Sequence, residues 1–184
     1  MATEGVARPR TSVFVGTSLD GVLARQDGTF DFLSAGGEAN GAANGFDAFL
    51  ASVDAVLMGR NTYDVVLPFP AWPYGRKPVF VLTHRDLPSA PAGAIVEPMS
   101  GEPAAVLQSL EGRGFTHVYV DGGLTIQQFL GGGLIDRIVV TRVPVLVGGG
   151  IPLFGALPAD VLLQHVATHV LPGGAVQSEY VVAR

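Results

Sequence analysis

Residues 118–130, VYVDGGLTIQQFL, hold a short apolar strand that stops at Gly122-Gly123 and turns straight into a helix. A glycine pair at such a turn brings backbone N–H groups and the positive end of a helix close to anything above the strand, which suits a phosphate. Thr125 and Gln128 have the T-x-x-Q spacing of a capping box and predict where the helix starts. Taken alone, a glycine turn with no ligand accounts for the motif equally well.

The same strand-then-helix order recurs along the chain and favours a mostly parallel sheet wrapped by helices. Strands are predicted at 11–15, 53–58, 78–83, 118–121 and 137–144, and helices within 38–52, after Gly59-Arg60 with a start at Asn61 or Thr62, and at 102–112. Gln26-Asp27-Gly28 reads as a hairpin or loop turn. The β-rich runs 161–170 and 177–182 flank Pro172-Gly173-Gly174, a hairpin signal that implies an antiparallel edge and hence a mixed sheet. The expected organisation is a flexible tail at 1–10 and a single domain at 11–184.

Composition narrows the chemistry. A net charge of −5 with no Lys/Arg cluster argues against nucleic acid or an anionic membrane as partner. The absence of cysteine excludes disulfides, thiolate metal sites and cysteine nucleophiles. Residues 1–10 have no signal-type apolar core and no run reaches spanning length uninterrupted, so a cytoplasmic protein is expected. Hydrophobic residues at 48% against 15% charged point to a large core or to apolar surface covered by a second subunit, so a homodimer is expected. No G-x-x-x-x-G-K-[ST], G-x-G-x-x-G, G-x-S-x-G or H-E-x-x-H occurs. His165 and His169, four apart in a strand-like run, lack further ligands nearby, and no metal is expected.

Three loops then fall at the C-terminal ends of predicted parallel strands, where open α/β sheets bind ligands: Gly59-Arg60-Asn61-Thr62, Thr83-His84-Arg85 and Gly122-Gly123-Leu124-Thr125. Singly, each arginine reads as a solvated surface group and Thr62 as a cap. Together the loops suit a small molecule with several separated phosphates. Asp20, just after the first strand in SLDG, lies at the same sheet edge, where an acid can orient a substrate N–H or relay a proton. The alternative is a turn pair whose carboxylate caps local N–H groups.

MGRNTYD (58–64), PYGRKPVFVLTHR (73–85) and VYVDGGLTIQQFL, in this order, resemble the dihydrofolate reductase-like superfamily. TSLDG (17–21) with DGTFDFL (27–33) is similar to one branch of it, stand-alone proteins related to the C-terminal reductase domain of the bifunctional riboflavin-biosynthesis deaminase/reductase. The resemblance implies a three-layer α/β fold, a mixed, mostly parallel sheet flanked by helices with an antiparallel C-terminal hairpin, and NADPH as cofactor. By motif, Gly59, Arg60 and Thr62 would lie by the cofactor phosphates, with Arg60 and Arg85 as candidates for the 2′-phosphate. Thr83 and His84 would line the adenosine side, and Gly122, Gly123, Leu124 and Thr125 would hold the pyrophosphate. Trp72 and Arg76 are candidates for a substrate wall and a substrate anion anchor.

Folate reductases carry a carboxylate where this chain has Ala43-Asn44, with Asp47 one turn on, which points away from dihydrofolate. The leading expectation is an NADPH-dependent reductase transferring hydride to a small heterocycle of pterin or aminopyrimidine type, with 5-amino-6-(5-phosphoribosylamino)uracil as a candidate. With Asp20 as the catalytic acid, Asp20→Asn would lower turnover and leave NADPH affinity nearly unchanged. A nucleotide-binding or regulatory homodimer without chemistry, and a structural dimer with an empty cleft, stay open.

Overall fold

A computed structural model describes residues 8–40 and 44–183. Its centre is an eight-stranded sheet made from β1 (Arg10–Thr17), β3 (Ala55–Gly59), β4 (Pro78–Leu82), β5 (Ile95–Met99), β6 (His117–Asp121), β7 (Arg137–Arg142), β9 (Leu163–Val170) and β10 (Val176–Val182), in the order β5-β4-β3-β6-β1-β7-β10-β9. The first six in that order pair in parallel, while β7, β10 and β9 pair antiparallel. Separately, β2 (Val22–Ala24) and β8 (Ile151–Pro152) form a two-stranded antiparallel pair. The mixed sheet with its C-terminal hairpin is the one expected from sequence.

The central strands are apolar on both faces because both faces are covered. On one side α3 (Pro103–Gly112) and α4 (Gly123–Gly131) bury Val106, Leu107, Leu110, Ile126, Phe129 and Leu130 against Val118 and Val120 of β6. On the other side α1 (Phe46–Ala51) and α2 (Arg60–Val66) bury Phe49, Tyr63 and Val66 against Tyr119 and Val56. Phe49 meets Tyr119 edge-on at 5.0 Å. Three layers result, with the C-terminal ends of β4, β3 and β6 adjacent.

Several local expectations give way to tertiary structure. The predicted helix over 38–52 is only α1 in its second half, since 31–40 winds as a 3-10 stretch and residues 41–43 lie outside those described. β5 escapes the sequence because Glu97 and Pro98 interrupt its apolar run; it is an edge strand, where a mid-strand proline is tolerated. β2 and β8, of three and two residues, are too short to carry a period. The turn at Gln26-Asp27-Gly28 closes a loop (Gly28 N–H to the Arg25 carbonyl, 2.9 Å), and β2 pairs with distant β8.

The folded domain also starts earlier than Thr11. Arg8 forms a two-pronged ion pair with Asp136 at 2.9 Å for each nitrogen, and β1 begins at Arg10. The rest of the expected tail, residues 1–7, lies outside those described. Among the described residues no helix is long and apolar enough to cross a membrane.

At the N-terminal end of the sheet, Ser12 Oγ lies 2.8 Å from His117 Nε2 and His117 Nδ1 lies 2.8 Å from the Ser52 carbonyl. A carbonyl only accepts, so Nδ1 carries the proton and the neutral ring accepts from Ser12. Burial, then Arg10 and Arg137, push the imidazole pKa below 6.5. The folded state therefore resists a proton that the unfolded chain takes up near pH 6.5, and stability is expected to fall as pH drops from neutrality through that value. Thermal melts from pH 7.5 to 5 should show this slope in the wild type and a flatter one in His117→Gln. Equal slopes would remove the assignment.

Candidate functional site

The C-terminal ends of β3 and β6 feed two helices whose first turns interlock. Helix α2 starts at Arg60 with Gly59 as its extended N-cap, and α4 starts at Gly123 with Gly122 as its N-cap. A Cβ placed on Gly122 would stand 2.1 Å from Thr62 Oγ1, and one on Gly59 would stand 2.8 Å from Thr125 Oγ1. Each helix thus presses the hydroxyl of its third residue against the glycine that opens the other. Gly122 also has φ +89°, open to glycine and strained for other residues. The expected helix starts are corrected accordingly: neither Asn61 nor Thr62 caps α2, and Thr125 with Gln128 makes no capping box. The glycines let each helix begin before its hydroxyl, which is left free to pack across.

Around these starts lies a cleft of about 320 Å³, lined by Gly59, Arg60, Asn61, Thr62 and Val65 from β3–α2 and by Asp121 to Thr125 from β6–α4. The β2–β8 pair closes it through Leu23, Ala24 and Ile151. The N–H groups of a first helical turn have no partner inside the helix. Here two such turns face one cavity, a cradle in which side chains at Gly59 and Gly122 would collide. This geometry fits the phosphates of a dinucleotide.

All the predicted cofactor residues except Arg85 divide between two cavities. Gly59, Arg60, Thr62, Gly122, Gly123, Leu124 and Thr125 line the main cleft. Thr83 and His84, at the end of β4, line a neighbouring polar pocket of about 450 Å³ with Ser100, Gly101, Glu102 and Gln128. Arg60 donates through Nε to Asp64 (2.8 Å) and through Nη1 to the Asp86 carbonyl (2.8 Å). Arg85 is exposed, its backbone N–H tied to Thr83 Oγ1 at 3.0 Å, and its guanidinium makes no hydrogen bond or ion pair among the described residues.

The substrate candidates lie elsewhere. Trp72 packs edge-on against Tyr63 (6.2 Å) and Tyr74 (5.2 Å), with Nε1 buried and without a hydrogen-bond partner. It lines none of the cavities described. Arg76 is exposed at an open pocket of about 410 Å³ with Asp47, Leu50, Tyr74 and Lys77. Asp20 does not line the cleft; Oδ1 accepts from Ser18 Oγ (2.6 Å) and the Val147 N–H (3.1 Å), and Oδ2 from the Gly148 N–H (2.8 Å). These bonds, the Ser18 hydroxyl foremost, hold its pKa down to about 2. A carboxylate so held is a poor proton relay, and its two N–H donors come from a distant loop instead of the local turn that an Asp-Gly pair suggests.

Asp121 is the acid that sequence reasoning passed over. It ends β6 and borders the cleft, with Oδ1 accepting from the Gly122 N–H (2.8 Å) and Oδ2 from the Tyr74 hydroxyl (2.9 Å). Although part of the residue reaches the cleft, its carboxyl is enclosed, and burial raises its pKa against the lowering effect of those bonds. Burial pushes Tyr74 and Tyr119 well above the usual tyrosine range, so both remain donors; Tyr119 donates to the Phe14 carbonyl at 2.8 Å. The signal lay in the sequence, an acid directly before the glycine pair. His165 and His169 lie on exposed β9, His165 against Thr168 Oγ1 at 2.7 Å, and among the described residues no group of three potential ligands gathers for a metal.

Residues 9–176 match the RibD C-terminal domain. The chain belongs to that family. The uncharacterised protein YwjB of Bacillus subtilis (strain 168) is 32% identical over 177 residues, which are 95% of this chain and 98% of YwjB. A crystal structure from Shewanella sp. PV-4, provisionally named a riboflavin biosynthesis protein, is 39% identical with a TM-score of 0.88, covering 95% of this chain and 99% of that one. Dihydrofolate reductase from Enterococcus faecalis, complexed with NADP(H) and RAB-propyl, is 14% identical with a TM-score of 0.62 over 95% of this chain and 97% of that one. This last likeness shows the shared fold. The RibD C-terminal domain family and the dihydrofolate reductase-like fold are those the motifs resembled.

Proposed function

We propose that the chain is an NADPH-dependent reductase that transfers hydride to a small heterocycle of pterin or aminopyrimidine type. The observation that carries this is the pair of interlocked helix starts facing one cleft, with an acid of raised pKa at its edge. Membership of a family named for a riboflavin-pathway domain supports the reductase class, and the NADP(H) of the Enterococcus enzyme supports the cofactor. When bound, the nicotinamide supplies the hydride.

The protein contributes binding, orientation and a proton. Backbone N–H groups of the first turns of α2 and α4 hold the phosphates, and Thr62 and Thr125 fix the separation of those turns. Leu23, Ala24 and Ile151 exclude water from above. Asp121, at the edge of the cleft and with a pKa raised by burial, is the acid we assign as proton donor. Tyr74 orients the carboxyl through its hydroxyl. The pocket bearing Arg76 and Lys77 offers cations to a substrate phosphate or carboxylate.

A fluorescence titration with NADPH and NADH tests the reading. Arg85 has its guanidinium uncommitted, whereas Arg60 already gives two of its five N–H groups to Asp64 and Asp86. Arg85→Ala is therefore expected to weaken NADPH about tenfold and leave NADH unchanged, the scale of one charge-assisted phosphate contact. Arg60→Ala should weaken both nucleotides by a smaller factor through disorder of the α2 start. Binding of neither nucleotide to the wild type would remove the reductase reading.

A further inference from the structure

The structure assigns Asp20 a positioning role: its carboxylate pins the 145–150 loop to the 18–22 turn, and so holds the β2–β8 roof over the glycine turn of the cofactor cleft. The inference rests on the cleft being a nucleotide site. It concerns how that site is kept closed.

The two segments meet at several points. The Leu19 N–H donates to the Val145 carbonyl at 2.8 Å, and the Leu153 N–H to the Gly21 carbonyl at 3.0 Å. β2 and β8 pair through Val22 with Pro152 and Ala24 with Ile151. Between these points runs Gly148-Gly149-Gly150, with φ of 76° at Gly148 and 149° at Gly150. Three consecutive glycines carry no conformational preference able to hold a loop in place. Something outside the loop must do so, and Asp20 takes the Val147 and Gly148 N–H groups on separate oxygens. Ser18, fully buried, braces the carboxylate by donating to it while accepting from the Val22 N–H at 2.9 Å.

The roof that follows from this clamp touches the proposed phosphate turn directly. A Cβ at Gly123 would lie 3.0 Å from Leu23 Cδ2 and 3.6 Å from Ile151 Cγ2. At Gly150 a Cβ would stand 2.4 Å from the Ala24 carbonyl oxygen, so the loop passes β2 with no room to spare. Gln127 of α4 donates to the Pro152 carbonyl at 2.9 Å and completes the contact between roof and helix. Loosening 145–150 therefore loosens Leu23 and Ile151. Hydrogen bonds from Ser18, Val147 and Gly148 lower the Asp20 pKa to about 2, so the carboxylate that makes the clamp is ionised at neutral pH.

Asp20→Asn keeps one acceptor oxygen and Asp20→Ala keeps none, and the two variants together form the test. Amide hydrogen exchange of the 145–150 segment is expected to rise in both, more in Ala than in Asn. The dissociation constant for NADPH should rise in the same order, by about tenfold for Ala, the scale of one lost charge-assisted bond. At saturating NADPH, single-turnover reduction of 5-amino-6-(5-phosphoribosylamino)uracil should be unchanged. A proton relay would give the opposite pattern, with unchanged affinity and both variants equally slow. That pattern, or exchange in the loop equal to wild type, overturns the inference. Binding of neither nucleotide by the wild type overturns the cofactor reading and with it the effect on affinity, while loop exchange still reports whether the clamp exists.

Discussion

Gly122→Ala is expected to lower the melting temperature by about 10 °C and to abolish measurable NADPH binding. Two costs combine. The backbone there sits at φ +89°, ψ 135°, a region that a residue with a Cβ enters at about 1–3 kcal/mol. The added methyl would also stand 2.1 Å from Thr62 Oγ1, and overpacking of this kind costs about 1–3 kcal/mol more. For a chain of this size about 3 kcal/mol in all corresponds to the stated shift. The two costs are separable by adding Thr62→Ala, which removes the overlap and keeps the backbone strain. The double variant should regain roughly half the lost melting temperature and little of the binding, because the strained backbone at position 122 still opens α4. A single variant that melts like the wild type would mean that the helix starts do not interlock.

Asp121→Asn is expected to do two things in opposite directions. An acid whose folded-state pKa is raised binds a proton more readily in the folded protein than in the unfolded chain. Its contribution is favourable below the unfolded value of 3.8 and is lost as pH rises through the raised folded value. At neutral pH the enclosed carboxylate therefore works against the fold. Asparagine still accepts from the Gly122 N–H and can donate to the Tyr74 oxygen, so the variant should melt higher than wild type at pH 7 and no higher at pH 4. Turnover should fall at least about 100-fold, the usual contribution of a general acid, with NADPH affinity retained. Melting that drops at pH 7 would contradict the enclosed-acid picture. Turnover that persists would move the proton donor elsewhere.

The layers of the fold were legible because the central strands are covered on both faces and so read as unbroken apolar runs, as in AVLMG before Arg60 and PVFVL before Thr83. What escaped was set by contacts distant in sequence. β5 breaks its run with Glu97 and Pro98, and β2 and β8 are defined only by each other across more than a hundred residues. The strand-to-helix turns at Gly59 and Gly122 were legible because glycines mark them locally. The roles of two acids were not legible, since Asp20 and Asp121 each precede a glycine and look alike in sequence. Their environments separate them: three donors and solvent for Asp20, enclosure for Asp121. Thr125 misled for a related reason, because its hydroxyl serves a glycine sixty-six positions earlier instead of its own helix.

The interlocked helix starts also act as a ruler. β3 and β6 are neighbours in the sheet, and neighbouring strands stand about 4.8 Å apart at a spacing set by their ladder of hydrogen bonds. Since each start abuts the other through a hydroxyl and a missing Cβ, neither can shift along its own axis without pushing its neighbour. The gap between the two sets of N–H groups is thus tied to the β3–β6 ladder at the centre of the sheet. Loops can adapt a pocket to ligands of many shapes, but this pair offers one fixed interval between its charges, and selection among anionic ligands would begin there.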